Sequence, residues 1–413
     1  MSLDGITLHP LPKGWQWVEL GEVVDILDSR RVPVNASERE QRNKGIGQTS
    51  LFPYYGATGL VGYIDNYIFD EELVLLGEDG APFLEPYKEK AYLVTGKYWV
   101  NNHAHVLRAK KGFITNRFLK HSLNNVNYRD FITGTTRYKL NQAQMAKIPI
   151  PLPPLPEQER IVGRIEALLS HVDAGEAALT HARAALKRAR ASLLQAATTG
   201  RLTHPHLPPG ELPPGWVWST VGEVSVIKGG KRLPKGHGYS KIPTAYPYIR
   251  VTDFSDYGIS QEDLRYLVPE TQKMISRYLI YNNDVYISIA GSIGKVGMIP
   301  ENLNGANLTE NAARITEIKG MAPKFLMYSL SSPDGIQQIE KSTISTNQPK
   351  LALFRIAQLR IPKPRLSEQE IIVLEIDRQL SSIQMAEVTI GQQIMRSRRL
   401  RQSILSAAFS GRL

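Results

Sequence analysis

Pro151-Leu152-Pro153-Pro154-Leu155-Pro156-Glu157-Gln158-Glu159 opens a stretch that closes, after an uninterrupted helix-forming run, on Ala196-Ala197-Thr198-Thr199-Gly200-Arg201-Leu202. The chain repeats it at the C-terminal side. Pro362, Pro364, Leu366 and Glu368-Gln369-Glu370 lead into a second run that ends Ala407-Ala408-Phe409-Ser410-Gly411-Arg412-Leu413. The offset is 211 residues from Pro151/Pro362 to Leu202/Leu413. A repeat held at one offset marks a duplicated structural unit.

Inside the first copy Ile165, Val172, Leu179, Leu186 and Leu193 fall seven apart. A second row, Ile161, Leu168, Gly175, Ala182, Ala189 and Ala196, has the same spacing and becomes small. Two such rows predict a coiled-coil seam, the small residues letting a partner helix approach. In the second copy Ile376, Ile383, Ile390 and Ile404 continue the large row, with Ser397 as its polar break. Each copy is the natural partner of the other, paired antiparallel.

A second repeat lies upstream of each helix. Leu11-Pro12-Lys13-Gly14-Trp15-Gln16-Trp17 returns as Leu212-Pro213-Pro214-Gly215-Trp216-Val217-Trp218, now at an offset of 201. The paired tryptophans alternate as on one strand face and are expected in a core. His204 to Glu211, rich in proline, reads as a linker. The chain therefore divides as 1–150 globular, 151–202 helical, 203–360 globular and 361–413 helical. The globular parts do not align in detail, though Asn141-Gln142 and Asn347-Gln348 precede an Ile-Pro segment in both. Strand-like runs dominate them: Glu72 to Leu76, Ala91 to Thr95 and Ala104 to Leu107, then Tyr248 to Val251, Asp284 to Ile289 and Ala313 to Ile315. Phe325 to Leu330 and Asp334 to Lys341 read as short helices. The expected class is α+β, two strand-rich globules alternating with two long helices.

The 413 residues contain no cysteine, which excludes disulfides and thiolate metal sites and suits a reducing compartment. No run approaches a membrane span and no signal peptide is expected, so a cytoplasmic protein without membrane contact is anticipated. The net charge of +11 favours a polyanionic partner.

Few motifs carry chemistry. Gly291-Ser292-Ile293-Gly294-Lys295-Val296 lacks the first glycine and the final hydroxyl of a phosphate loop, so a tight strand-to-strand turn is expected. His103/His105 and His204/His206 are spaced two apart without further ligands, and no metal site is expected. Gly236-His237-Gly238 lacks the context of a dinucleotide fold. No amino-methyltransferase motif is found. What remains is binding. Phosphates are held by Lys and Arg, and base edges by Arg, Lys, Asn and Gln. On that ground the candidates in the first globule are Arg30, Arg31, Lys44, Asn101, Asn102, His103, Arg137 and Lys139, with Arg39 and Arg42 nearby. In the second they are Lys231, Arg232, Lys235, Arg250 and Lys295. Lys187, Arg188, Arg190, Arg396, Arg398, Arg399 and Arg401 on the helices face either DNA or an acidic partner.

The order and duplication of these motifs resemble the specificity (S) subunits of Type I restriction-modification systems. The likeness covers essentially the whole chain. It includes Phe52-Pro53-Tyr54-Tyr55-Gly56-Ala57-Thr58-Gly59, Trp99-Val100-Asn101-Asn102-His103-Ala104-His105 and Gly291 to Lys295. The resemblance implies two target-recognition domains, each reading half of a bipartite site in double-stranded DNA, held apart by helical spacers. It implies a non-catalytic subunit without cofactor of its own. Two methyltransferase (M) subunits would bring S-adenosylmethionine for adenine-N6 methylation, and restriction (R) subunits would bring ATP and magnesium. The competing expectation is a helical scaffold that displays two protein-binding modules.

Overall fold

A computed structural model of the chain describes residues 2–3, 6–208, 210–343 and 349–413; Asn347-Gln348 lies outside the described residues. The chain divides into two compact units, residues 1–181 with 390–413, and 182–389. Each contains one globular domain and part of each long helix.

The first unit holds ten principal strands, β1 Gln16–Glu19, β2 Val24–Ile26, β3 Phe52–Gly56, β4 Gly59–Ile64, β5 Phe69–Asp70, β6 Leu73–Gly77, β7 Ala91–Val94, β8 Lys97–Val100, β9 Ala104–Ala109 and β10 Pro149–Leu152. They form sheets of order β4-β3-β8-β5 and β2-β9-β6-β7, plus the pair β10-β1. Every residue of β6 is buried, as its unbroken Leu73-Val74-Leu75-Leu76 run requires. Because side chains alternate, Val74 and Leu76 join the core under the helix Asn116–Asn125. Leu73 and Leu75 face Tyr98 and Val100 of the other sheet.

The second unit has the corresponding ten: β11 Val217–Thr220, β12 Val226–Gly229, β13 Pro247–Ile249, β14 Arg265–Tyr266, β15 Leu279–Ile280, β16 Val285–Ser288, β17 Val296–Met298, β18 Ala306–Leu308, β19 Ala312–Thr316 and β20 Arg360–Lys363. Their orders are β14-β13-β18-β15, β12-β19-β16-β17 and β11-β20. The ten principal strands of the two domains thus correspond one to one, including one parallel pair in each, β3/β8 and β13/β18, while the first domain adds a short pair, Ile132–Thr133 with Lys139–Leu140. In β16 Val285 and Ile287 face the helix Pro323–Ser331, while Tyr286 faces the second sheet. The glycine-rich turn at 291–295 joins β16 to its antiparallel neighbour β17, as expected.

The repeated sequence ends meet in each unit. Pro151 stands opposite Trp17 in the β10/β1 pair, and Pro362 opposite Trp218 in β20/β11. Proline tolerates this place because the strands pair on one side alone. The tryptophan expectation holds for one member of each pair. Trp216 is buried and Trp15 packs against its core, but Trp218 is 47 % exposed and Trp17 half-buried. Trp15 and Trp216 precede their strands, so alternation does not put the pairs on one face.

Helices α1 Leu155–Thr198 and α2 Leu366–Phe409 have 44 residues each. Each ends in a glycine at positive φ, Gly200 at 77° and Gly411 at 71°. Bonds from Leu202 N to Ala196 O and from Arg412 N to Ala407 O close both C-termini. A Cβ at Gly200 would strike the Pro213 ring, and one at Gly411 the Pro12 ring, so Gly-Arg-Leu and Leu-Pro form one joint.

In the first unit Arg398 pairs with Glu176 and Arg401 with Asp173. Partner numbers fall as α1 numbers rise, so the helices run antiparallel there. In the large row Ile165, Val172, Leu193, Ile376 and Ile404 are buried, and Leu179, Leu186, Ile383 and Ile390 half-buried. The small row does not behave as expected, since Gly175, Ala182 and Ala189 are exposed. A second row of the same spacing is buried or half-buried instead, Leu169, Glu176, Arg190 and Ala197 on α1, with Leu380, Glu387, Ile394, Arg401 and Ala408 on α2. Its ends are buried and apolar. Its middle carries ion pairs, among them Arg190–Glu387 at 2.8 Å in the second unit.

Candidate nucleic-acid interface

The shared topology makes the two domains comparable residue by residue. Tyr54 Oη donates to Val34 O at 2.9 Å, and Tyr248 Oη donates to Lys231 O at the same distance. The turn leaving β8 is Asn101-Asn102-His103, and that leaving β18 is Thr309-Glu310-Asn311. Asn101 N donates to Tyr55 O and Thr309 N to Ile249 O, both at 3.0 Å. His103 O accepts from Glu78 N, and Asn311 O from Ile289 N, both at 2.8 Å. One backbone scaffold therefore presents different side chains.

In the first unit five candidates gather at this turn. Asn101 is buried and its Oδ1 accepts from His103 N at 2.8 Å, which leaves Asn102 exposed at the tip. His103 Nδ1 lies 3.5 Å from Asp79. Arg137 donates through Nε to the same carboxylate at 2.6 Å, and Lys139 Nζ is 3.5 Å from Glu78. Gly56, Asp79, Gly80, Asn101, His103 and Arg137 line an open cleft of about 1120 Å³. A second cleft, with Asn35, Arg39 and Tyr54, flanks the turn on its other side.

The remaining candidates of this unit are placed elsewhere. Arg31 is largely buried, donating to Glu78 and to Ala104 O at 2.7 Å each, with Asp28 at 3.4 Å. His105 Nδ1 lies 2.5 Å from Asp28, and its Nε2 is 2.8 Å from Leu140 O. Asp28, Glu78 and His105 could by spacing hold a cation, but the Arg31 guanidinium sits against both carboxylates and supplies the positive charge. Arg30 stacks on Phe69, donates to Ile68 O at 3.0 Å and pairs with Glu71 at 3.6 Å. Arg39 and Arg42 lie over Tyr54 and Trp99, and Arg42 also pairs with Asp65 at 2.7 Å. Lys44, past the end of the helix Ala36–Asn43, is exposed and has no ion pair among the described residues.

In the second unit Lys231 and Arg232 border the equivalent turn. Lys231 N donates to Leu308 O at 2.8 Å, and its Nζ stands 5.7 Å from the Tyr278 ring centre. Arg232 Nε donates to Glu310 at 2.7 Å. Burial opposes ionisation of Glu310, yet Arg232, the Glu310 amide and Thr309 hold its carboxyl below the usual range. Lys235 is exposed and unpaired among the described residues. Arg250 is spent on Asp253 at 2.6 Å and Asp263 at 3.2 Å, which fastens the 251–253 turn. Lys295 Nζ donates to Phe254 O at 3.3 Å. Of the helix cations, Arg190, Arg398 and Arg401 are held by carboxylates of their own units.

Asp79, Thr309, Glu310 and Asn311 were not among the sequence candidates. Their signal is faint: Val100-Asn-Asn-His-Ala and Leu308-Thr-Glu-Asn-Ala share an apolar residue, three polar ones and an alanine. Among the described residues no helix is long and apolar enough to cross a membrane.

Two domains of one topology with unlike loops, each followed by a repeated helix, define a duplicated two-domain chain. The family model for the Type I restriction modification DNA specificity domain matches residues 12–180 and 213–396, and the chain belongs to that family. It is 40% identical over 153 residues to the putative type I restriction enzyme specificity subunit S.HindORF215P of Haemophilus influenzae, a match covering 37% of each chain. It is 29% identical over 282 residues to the type I restriction enzyme EcoBI specificity subunit of Escherichia coli, covering 64% of this chain and 58% of that one. A chain from a solved structure concerning assembly and conformational transition of the type I R-M system shares the fold, with a TM-score of 0.72 at 22% identity over 98% of this chain and all of that one.

Proposed function

We propose that this chain is the DNA-reading subunit of a Type I restriction-modification assembly, each domain reading one half of a bipartite duplex site. The observation that carries it is the pair of turns 101–103 and 309–311, one scaffold presenting Asn-Asn-His in one domain and Thr-Glu-Asn in the other. A subunit built twice on one plan suits a two-part target, and unlike loops suit unlike halves. Exposed Lys44, Lys231 and Lys235 supply phosphate contacts, which position the domains without reading sequence. Arg31 and Arg250 act within their domains, since a phosphate contact would break buried ion pairs.

In this reading the paired helices set the length of unread DNA between the halves. Two modification (M) subunits dock on the chain with S-adenosylmethionine, and restriction (R) subunits join with ATP and magnesium. The chain contributes recognition rather than catalysis, in the cytoplasm. The test is a salt titration of duplex binding by the full chain with its M subunits. Affinity for DNA should fall linearly in log–log form with a slope of about −0.9 per phosphate contact. Salt-independent binding, or no binding of duplex DNA, would instead support a protein-display scaffold.

A further inference from the structure

Arg137 and Arg232 share a geometry that the other basic candidates of the two globular domains lack. Each is held through Nε alone, by Asp79 at 2.6 Å and by Glu310 at 2.7 Å. Their side chains are 63 % and 78 % exposed, and among the described residues the Nη groups of neither make a hydrogen bond. Arg31 and Arg250 differ, because their Nη donors are spent on carboxylates and carbonyls. A carboxylate on Nε fixes the guanidinium plane and leaves the outer fork open. That fork is the edge that pairs with O6 and N7 of guanine in the major groove. A phosphate can also take a fork, but it can be approached from many directions, whereas O6 and N7 of guanine accept from one edge of the base, so a guanidinium set in one plane suits the base edge.

Both guanidiniums stand at the turn after the parallel strand pair but arrive by different routes. Arg137 comes from the turn between the paired short strands Ile132–Thr133 and Lys139–Leu140 and lies over Gly80, whose φ of 74° keeps backbone in place of a side chain beneath it. Arg232 comes from the loop after β12 and pairs with Glu310 in the turn itself. By the hydrogen-bond register Asn102 is the counterpart of Glu310, so the first domain has no carboxylate there and uses Asp79 instead.

On the reading above that each domain reads one half-site, we propose that Arg137 and Arg232 are guanine-reading residues, one per half-site. Asp79 and Glu310 are their positioning residues. The differing approach routes place the guanine differently relative to the common turn in the two halves.

The test uses the full chain assembled with M subunits and a duplex library with both half-sites randomised, the bound fraction being sequenced. Arg232→Lys keeps the charge and loses the fork. It should reduce guanine preference at one position of one half-site by roughly ten- to a hundred-fold, with the other half-site and the salt slope unchanged. Arg137→Lys should do the same in the other half. Glu310→Gln and Asp79→Asn should weaken preference at those same positions, since each replaces a charge-assisted hold on Nε by a weaker neutral one. The inference is overturned if the lysine variants keep full guanine preference while the unmodified chain still selects a bipartite site. It is also overturned if Arg→Ala variants lose affinity uniformly across sequences with a slope smaller by about 0.9, the mark of a phosphate contact. An unmodified chain that selects no bipartite site overturns the half-site reading, and this inference with it.

Discussion

Gln158 and Gln369, which stand 211 residues apart, make the same bonds in their two units. Gln158 Nε2 donates to Pro153 O at 2.9 Å and Phe113 O at 2.8 Å, and its Oε1 accepts from Thr115 N at 3.0 Å. Gln369 Nε2 donates to Pro364 O at 2.9 Å and Gly320 O at 3.4 Å, and its Oε1 accepts from Ala322 N at 2.7 Å. Both side chains are fully buried. The repeated Glu-Gln-Glu is therefore a latch that fastens each helix start to the loop leading into a domain helix.

Replacing either glutamine by leucine leaves the buried Pro153 or Pro364 carbonyl, and the part-buried Thr115 or Ala322 amide, without a partner. Each orphaned buried group costs about 1–3 kcal/mol, so Gln158→Leu and Gln369→Leu should each lower the unfolding free energy by at least ~2 kcal/mol. Urea denaturation followed by circular dichroism reads the loss. An unchanged midpoint would mean the latch adds nothing.

Arg31 is expected to act on stability rather than on DNA. Arg31→Met leaves Asp28 and Glu78 facing each other without their guanidinium, and breaking a buried pair costs ~3–5 kcal/mol. The chain should melt lower, while the salt slope of DNA binding in the folded fraction stays the same. A slope reduced by about 0.9 would show a phosphate contact instead.

His121, buried on the helix Asn116–Asn125, titrates far below an ordinary histidine, at about 3. Burial is the main cause, with Lys120 and Arg117 adding to it. Glu166 is 3.9 Å away, too far to hydrogen-bond and offset the burial. The folded state holds the ring neutral while the unfolded chain protonates it near 6.5. Its contribution is thus full above pH 6.5 and is lost as pH falls toward 3, by up to about 1.4 kcal/mol per pH unit. His121→Gln should flatten the stability profile between pH 6.5 and 4.5. An equal decline in both proteins would place the titrating group elsewhere.

Matched insertion of Ala-Glu-Ala-Leu after Leu179 and after Ile390 tests the helices as a ruler. Four helical residues add about 6 Å, against ~3.4 Å per base pair. The preferred spacer should grow by one or two base pairs with both half-site sequences kept. Some affinity loss is expected, since each added pair rotates one half-site about the DNA axis. Local unwinding can absorb the slipped heptad phase. An unchanged spacer in a folded, binding complex would show that the helices do not set it.

Much of this architecture is legible in the residues. The large heptad row from Ile165 to Leu193 is buried or half-buried throughout, and the runs at Leu73–Leu76 and Val285–Ile287 are central strands. The second row was hidden because its middle, Glu176 to Arg190, is charged, whereas the exposed alanines look like packing residues. The matching of the two domains was hidden by loops of unequal length. The offset is 201 at Trp15/Trp216, 194 at Tyr54/Tyr248, 208 at Val100/Leu308 and 211 at Leu140/Leu351, so no one shift aligns them. Nor can composition separate Arg31 from Arg137. One meets Glu78 from 47 residues away and is enclosed, while the other stays in solvent on Asp79.

The central claim is that each domain reads its own half-site, and exchange of one domain tests it most directly. Residues 20–148 of this chain are replaced by those of a related specificity subunit, which keeps β1 and β10 and both joints with the helices. The sequence methylated by the complex with M subunits is then read from genomic DNA. The account predicts that one half of the motif changes to that of the donor subunit, while the other half and the spacer length stay as they were. A change in both halves, or in neither, would contradict it.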